Sequence, residues 1–399
     1  MRIGINAQLL SFSENYRNGG ISRYIRSLLI ELARQPGEHE YTVFVNGQAV
    51  VERLKELAAH PQITYIPVAW PESKPVARVA WEQFTLPSIL RQKRIDVLHS
   101  PANVLPEFLP QSCAGVVTLH DLAFLRFPEV LTRSKRAYHR TFTIRSLQRA
   151  TKIIANSNST RQDAIELAGI AAAKIATVYI CIDRRFSGVL LEEEEIQAFR
   201  QKQGLADGFL LYLGTLEPRK NLVTLLKAYA LMRKESTRTE KLVLAGAKGW
   251  LYDAIFAKVR ELGLETEVLF PGFVADADQL LWYSSASAFV YPSLYEGFGM
   301  PVAEALACGV PVVTSNVSSL PEAGAGLALT VDPHDVEAMS KALYAALTDT
   351  SLRLRCREQA ASIARRFSAQ AMVEQTINVY EQAYAASHKL AARSDTTAR

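Results

Sequence analysis

The sequence predicts an α/β protein made of two doubly wound parallel sheets in tandem, each covered by helices on both faces. Three observations carry this. Short apolar runs alternate with amphipathic stretches of helical length along the whole chain. At 399 residues the chain exceeds what one hydrophobic core usually fills. Gly-rich turns between a strand and a helix recur in both halves, as ligand-binding α/β sheets require.

In the first half, residues 2–7, 41–46, 63–67, 97–100, 115–119 and 152–156 read as strands. Helical spacing runs through 21–34, 50–58, 81–93, 133–149 and 159–167. Residues 178–186 read as the exit from this domain, and the Glu-rich run at 192–195 with Ile196 and Phe199 as a solvated linker helix. A second alternating unit opens on the strand F-L-L-Y-L at 209–213, followed by strands at 241–245, 268–270, 288–291 and 312–315. Helices lie between them, such as 222–234 and 251–262. The final helix is expected over 369–387 after a break at Phe367-Ser368, with a disordered tail at 392–399. The domains are therefore placed at 1–186 and 200–366, and two such sheets imply a deep cleft at the carboxyl ends of their strands.

Apolar residues make up 49% and charged residues 21%, ordinary for a soluble globular protein, and the net charge of +5 neither demands nor excludes an anionic partner. No nucleic-acid partner is expected, and the oligomeric state is not fixed. Cys113, Cys181, Cys308 and Cys356 are scattered, which suits a reducing cytoplasm, and the first three read as small core residues. The chain starts on a strand with no signal peptide ahead of it, and no apolar run reaches the roughly 18 residues of a membrane helix. A cytoplasmic location, extending to the inner face of the membrane, follows as the expectation.

The most informative segment is Y-P-S-L-Y-E-G-F-G-M-P-V-A-E, from Tyr291 to Glu304. It ends a strand, crosses a Gly-rich turn and opens a helix in which Pro301 suits the first position. Gly297 and Gly299 let backbone N–H groups approach a ligand, and the helix N-terminus behind them favours an anion. Glu296 and Glu304 flank this seat; carboxylates repel phosphate, so they are expected to accept hydrogen bonds from hydroxyls. Together these describe a pocket for a sugar joined to a nucleotide diphosphate. The plain alternative is an ordinary strand-to-helix turn.

Other turns add to this. G-T-L-E-P-R-K-N-L at 214–222 places Arg219 and Lys220 at a strand end, with Asn221 as the expected N-cap. A guanidinium beside an ammonium suits a diphosphate, and losing either is expected to cut turnover while leaving the chain folded. A cation near a helix N-terminus opposes the macrodipole unless an anion joins them, which disfavours a merely solvated basic pair. In N-G-G-I-S-R-Y, Gly19 and Gly20 again permit close approach to phosphate, although many tight turns use such a pair. His120 and Asp121 end a strand in T-L-H-D-L-A-F and read either as a sugar contact through His120 or as a satisfied structural pair. In P-G-F-V, the backbone of Gly272, Phe273 and Val274 is placed to meet a nucleobase edge with the Phe273 ring on its face. A simple turn with a core aromatic stays open there. No spacing suggests a metal site, so no metal or cofactor is expected and activity should persist in EDTA.

Taken in this order, the motifs resemble the retaining glycosyltransferases of family 4, which have the GT-B fold. The likeness covers nearly the whole chain and is strongest over 211–333. It implies that Glu296 meets hydroxyls of the transferred sugar and Glu304 the ribose. It further implies that Arg219 and Lys220 meet the diphosphate, Gly20 a phosphate, and His120 the sugar. The backbone of Phe298, Gly299 and Met300 would hold sugar and phosphate, and the last helix, about 368–388, would pack back on the first, acceptor-binding domain. Cys181-Ile182-Asp183 departs from the Asn-Gly pair of many relatives, so the hinge is not fixed by likeness. The stretch H-D-L-A-F-L-R-F-P-E-V-L is similar to mannosyltransferases of bacterial surface polysaccharides, which implies GDP-mannose as donor and a glycan or lipid-linked acceptor.

The expected activity is thus hexosyl transfer with retention. The competing readings are a sugar-nucleotide-binding scaffold without turnover and a nucleotide-sugar epimerase on the same fold. One further expectation concerns membranes. Arg133, Lys135, Arg136, Arg140, Arg145, Arg149 and Lys152, interleaved with Tyr138, Phe142 and Leu147, suit reversible association with acidic phospholipids. An ordinary solvated helix face accounts for them as well.

Overall fold

The computed structural model describes residues 1–12, 19–68, 75–127 and 139–397. The chain divides into two compact units. The first comprises Met1–Cys181 with Ala369–Arg399, and the second Ile182–Ser368. Residues 182–199, expected as exit and linker, thus belong to the second unit. The chain enters and leaves that unit at adjacent points, where the Ile182 N–H donates to the Phe367 carbonyl at 2.9 Å.

The first unit holds a seven-stranded parallel sheet: β1 (Arg2–Asn6), β2 (Glu40–Asn46), β3 (Ile63–Val68), β4 (Val97–Ser100), β5 (Ala114–Leu119), β6 (Lys152–Ala155) and β7 (Ile175–Thr177), in the order β3-β2-β1-β4-β5-β6-β7. β4 and β5 are buried along their whole length, as expected of parallel strands covered on both faces. The helix Gly20–Arg34 turns Tyr24, Ile25, Leu28, Leu29 and Leu32 inward, the i, i+4 spacing of one helical face. The helix Ala369–Thr397 packs on the same sheet through Met372, Val373, Thr376, Val379, Tyr380 and Ala383. It is longer than expected and continues through most of the tail predicted to be disordered.

The second unit repeats the scheme with β8 (Phe209–Leu213), β9 (Lys241–Ala245), β10 (Val268–Gly272), β11 (Ala288–Tyr291), β12 (Val312–Ser315) and β13 (Leu329–Val331), in the order β10-β9-β8-β11-β12-β13. Its core is aromatic: Phe209, Tyr212, Tyr229, Tyr283 and Phe289 are fully buried.

In each sheet the strand order reverses once, between β1 and β4 and between β8 and β11. Connections leave such a pair of strands toward opposite faces, so a crevice opens at their carboxyl ends, where ligands bind in this class. In the second unit, the two turns leaving the switch point are those carrying Arg219-Lys220 and Glu296-Gly299.

Three elements differ from expectation. β7 and β13 are edge strands of three residues, too short to show a periodicity. The helix expected over 81–93 begins earlier, at Pro75, and contains a π-helical turn, Trp81–Thr85. Of the basic stretch at 133–152, residues 133–138 lie outside the described residues. In the remainder Leu147 belongs to the core, the Lys152 ammonium donates to the Ala173 carbonyl at 3.0 Å, and the Arg149 guanidinium pairs with Glu107 at 2.8 Å. Among the described residues, no helix is long and apolar enough to cross a membrane.

Candidate functional site

The turn after β8 forms a short 3-10 segment, Pro218–Lys220, and the turn after β11 runs to the helix Met300–Ala307. Because β8 and β11 are hydrogen-bonded neighbours, these turns meet. Lys220 Nζ donates to Glu296 Oε1 at 2.5 Å and to the Tyr291 hydroxyl at 2.7 Å. Arg219 Nη1 lies 3.1 Å from Glu296 Oε2 and donates to the Tyr295 carbonyl at 2.7 Å, while Nε and Nη2 donate to Glu217 Oε1 at 3.2 and 2.9 Å. Burial would raise the Glu296 carboxyl, but the charges of Lys220 and Arg219 outweigh it and hold the group down at about 2. Glu296 is therefore a carboxylate with one cation on each oxygen.

This differs from the sequence expectation in a physical respect. The sequence pattern pairs Arg219 and Lys220 with an anion and Glu296 with hydroxyls; in the structure the three side chains join one another. Two cations and the carboxylates of Glu217 and Glu296 make a cluster with no net charge. What it offers a ligand is fixed geometry: polarised donors, and a carboxylate with remaining lone pairs, held by buried bonds.

The turn leading into the helix Met300–Ala307 is a tight one. Gly299 takes φ +96°, a left-handed conformation that places the chain at the helix entrance, and a Cβ there would lie 2.8 Å from the Leu320 side chain. The helix begins at Met300, so Pro301 occupies its second position rather than its first. The Glu296 N–H donates to Ser318 Oγ at 3.1 Å and the Ser319 hydroxyl donates to the Glu296 carbonyl at 2.9 Å, which ties the turn to the loop after β12. Glu304 is buried, with the Tyr283 hydroxyl donating to Oε2 at 2.9 Å. Phe298 is also buried and packs edge-on to Phe367, leaving its backbone, not its ring, as the part a ligand can use.

Asn221 is at the N-cap position but in a left-handed conformation with no side-chain cap; its amide donates to the Pro333 carbonyl at 2.7 Å instead. Gly272 ends β10 with φ +82° and open space around it; beyond it Phe273 is 64% exposed and Val274 is buried. That exposure removes the core-aromatic alternative for Phe273 and leaves its ring accessible to a partner.

In the first unit, Gly19 precedes the helix Gly20–Arg34, and both glycines are exposed. His120, just beyond β5, is buried. Its Nε2 is 2.8 Å from the Pro101 carbonyl and its N–H donates to Asn103 Oδ1. A carbonyl only accepts, so Nε2 carries the proton and the neutral ring's lone pair is on Nδ1. Burial lowers the basicity of the imidazole, which keeps it neutral. Asp121 does not bond to His120; its Oδ1 accepts from the Ala123 N–H at 3.0 Å.

Sequence reasoning missed Glu217, Tyr291, Ser318 and Tyr283. Glu217 lies two residues before Arg219 and Tyr291 five before Glu296, whereas Ser318 and Tyr283 become neighbours only through the fold. Among the described residues no group of three His, Cys, Asp or Glu is placed to hold a metal ion.

Comparison with known proteins agrees with this architecture. Residues 194–363 match the family model for glycosyl transferases group 1, and residues 18–186 that for Glycosyltransferase Family 4. The chain is 36% identical to the O-antigen chain mannosyltransferase B of Escherichia coli over 293 residues, spanning 73% of this chain and 76% of that one. It is 33% identical over 223 residues to the serotype-specific mannosyltransferase WbdA of Escherichia coli, spanning 55% of this chain but only 27% of that longer protein. Among solved structures, Anabaena Alr3699/HepE in complex with UDP and glucose superposes with a TM-score of 0.69 at 18% identity, covering 96% of this chain and 99% of that one. WaaG, a glycosyltransferase involved in lipopolysaccharide biosynthesis, superposes with a TM-score of 0.71 at 17% identity, over 95% of this chain and 99% of that one. At such identities these two likenesses establish the fold alone.

Proposed function

The chain belongs to glycosyltransferase family 4, and we propose that it moves mannose from GDP-mannose to a sugar hydroxyl of a lipid-linked glycan, with retention at the anomeric carbon, in surface polysaccharide synthesis. The observation that carries the proposal is the Arg219–Lys220–Glu296 cluster at the switch point of the second sheet, beside the entrance of the helix Met300–Ala307. The mannosyltransferase relatives support the choice of sugar.

In this reading the nucleotide diphosphate lies against the backbone N–H groups at Gly299 and Met300. Phe273 covers the base, Glu304 meets the ribose and Glu296 meets hydroxyls of the sugar. The bond from the anomeric carbon to the diphosphate oxygen breaks ahead of attack. The Arg219 and Lys220 donors and the helix N-terminus stabilise the charge that develops on the departing oxygen. The acceptor hydroxyl attacks from the side that the diphosphate leaves, and a diphosphate oxygen takes its proton. Atoms balance as glycoside plus GDP, and the anomeric configuration is kept. His120 Nδ1 accepts a hydrogen bond from a hydroxyl of the transferred sugar. No divalent metal is required, and the reaction runs in the cytoplasm, at the inner membrane face where a lipid-linked acceptor presents its glycan.

The test is transfer from GDP-mannose and from UDP-sugars to a mannose-terminated lipid-linked acceptor, with EDTA present, the new linkage being assigned by NMR. An α-mannoside formed from GDP-α-mannose in EDTA is expected. A β-linkage overturns retention, transfer only from a UDP-sugar overturns the donor, and loss that only a divalent metal restores overturns metal independence.

A further inference from the structure

The first unit contains a buried hydrogen-bond chain that the reading above does not use. The Tyr380 hydroxyl lies 2.7 Å from His99 Nδ1, His99 Nε2 lies 2.8 Å from Thr118 Oγ1, and Thr118 Oγ1 lies 3.1 Å from the Tyr24 hydroxyl. Tyr380, His99 and Thr118 are fully buried and Tyr24 is 3% exposed. The Tyr24 ring then stands edge-on to His120, with centroids 5.2 Å apart and planes at 81°. Four elements supply these groups: the helix Ala369–Thr397, β4, β5 and the helix Gly20–Arg34. Thr118 and His120 are two residues apart, which puts them on one face of the strand and its extension.

Burial, and then the nearby His120, hold the His99 imidazole down at about 3, so it is neutral at any working pH. A neutral imidazole has one N–H and one lone pair. With a hydroxyl on each nitrogen, either Tyr380 donates to Nδ1 and Nε2 donates to Thr118, or Nδ1 donates to Tyr380 and Thr118 donates to Nε2. In the second case Tyr24 donates to Thr118; in the first either hydroxyl of the Tyr24–Thr118 pair donates. In every case the Tyr24 hydroxyl is tied and its ring plane is fixed against His120. On its other side His120 is held by the Pro101 carbonyl. The ring is thus clamped by a carbonyl at one edge and by an aromatic ring whose own orientation is set three hydrogen bonds away.

We propose that Tyr380, His99 and Thr118 are positioning residues for His120, acting through the ring of Tyr24. The proposal rests on the reading that His120 touches the transferred sugar. Paired buried polar groups are the rule; what sets this chain apart is where it ends. One end is on a helix supplied from beyond the second unit, and the other is on the residue packed against the candidate sugar contact. A hydroxyl on that late helix therefore sets the angle at which His120 Nδ1 is presented.

Tyr380→Phe removes one oxygen from the chain and keeps the packing. In the full-length protein, side-chain ¹⁵N NMR of the histidines should show the ring-nitrogen resonances of both His99 and His120 moving. A moved His99 with an unchanged His120 overturns the proposal. In the transfer assay Tyr380→Phe should lower kcat about tenfold or more, as misplacement of a contact does, with donor KM nearly unchanged. It should add nothing in a His120→Ala background; losses that multiply overturn the proposal. Thr118→Val breaks the chain on the other side of His99 and is read in the same way if Tyr380→Phe does not fold. If the His120 resonance moves while His120→Ala transfers at the wild-type rate, the positioning stands and the sugar-contact reading of His120 fails.

Discussion

At the scale of single residues, the proposed chemistry rests on Glu296 and its two cations. Lys220 and Glu296 are nearly buried, with side chains 8% and 12% exposed. Removing one partner so that a buried charge stands alone costs about 3–5 kcal/mol. Lys220→Ala leaves Glu296 facing Arg219 at 3.1 Å, so it is expected to destabilise the second unit by less than that, as well as to lower turnover about 100-fold or more. The chain is expected to stay folded, at a cost in stability. Urea unfolding of the variant checks it, and unchanged stability would show the bond to be ornamental. The pH dependence follows from the Glu296 carboxyl, held down from 4.5 to about 2. A carboxyl depressed by folding stabilises fully above its ordinary value, and that stabilisation is lost as pH falls toward its folded value. It amounts to at most about 3 kcal/mol, each unit being worth about 1.4 kcal/mol. Glu296→Gln should thus cost stability at pH 6 and progressively less from pH 4.5 to pH 2. A cost that does not change over that window contradicts the assignment.

At the scale of elements, the entrance to the helix Met300–Ala307 depends on Gly299. Alanine there must adopt φ +96° and place its Cβ 2.8 Å from the Leu320 side chain. Gly299→Ala is expected to cost about 1–3 kcal/mol and, on the proposed function, to weaken nucleotide binding, because strain and overpacking act at the proposed anion seat. Gly272 is the internal control: its φ is +82° but nothing lies within 4 Å, so Gly272→Ala should cost about 1 kcal/mol or less and act through backbone strain alone. Thermal unfolding of both variants with and without nucleotide separates the two; equal costs would mean that Leu320 yields freely. Elements were legible where the sequence concentrates signal. β8, β9 and β11 fall where apolar runs of four or five residues place them, and β4 and β12 begin on a Val-Leu and a Val-Val pair. The three-residue β7 and β13 carry no period to detect, and Asn221 looked like an ordinary cap because its bond to the Pro333 carbonyl spans 112 residues. The candidate site divides likewise. Residue types and spacing showed Arg219, Lys220 and Glu296, but not that they neutralise one another, since a 76-residue separation has no local signature.

At the scale of the molecule, the first unit is discontinuous: its sheet is covered by the helix Ala369–Thr397, made only after the entire second unit. Met372, Val373, Val379, Tyr380 and Ala383 are buried there at 0–2% exposure. Each large apolar side chain among them contributes about 1.5–3 kcal/mol. Truncation after Ser368 should therefore leave a folded second unit beside a first unit that unfolds at low denaturant or aggregates, visible as two separated transitions where the full chain has fewer. A truncated chain with an unaltered first-unit transition would show the helix to be dispensable.

The same discontinuity bears on synthesis. During translation, domains ordinarily fold in the order in which they emerge from the ribosome. Here that order is inverted. The sheet that emerges first keeps an apolar face uncovered, a surface suited to chaperones, while the later unit can fold as soon as residue 368 is clear. A chain released after residue 368 would then carry a finished second unit and an unfinished first one, so, on the proposed function, such biosynthetic errors should appear as species that bind donor and transfer nothing.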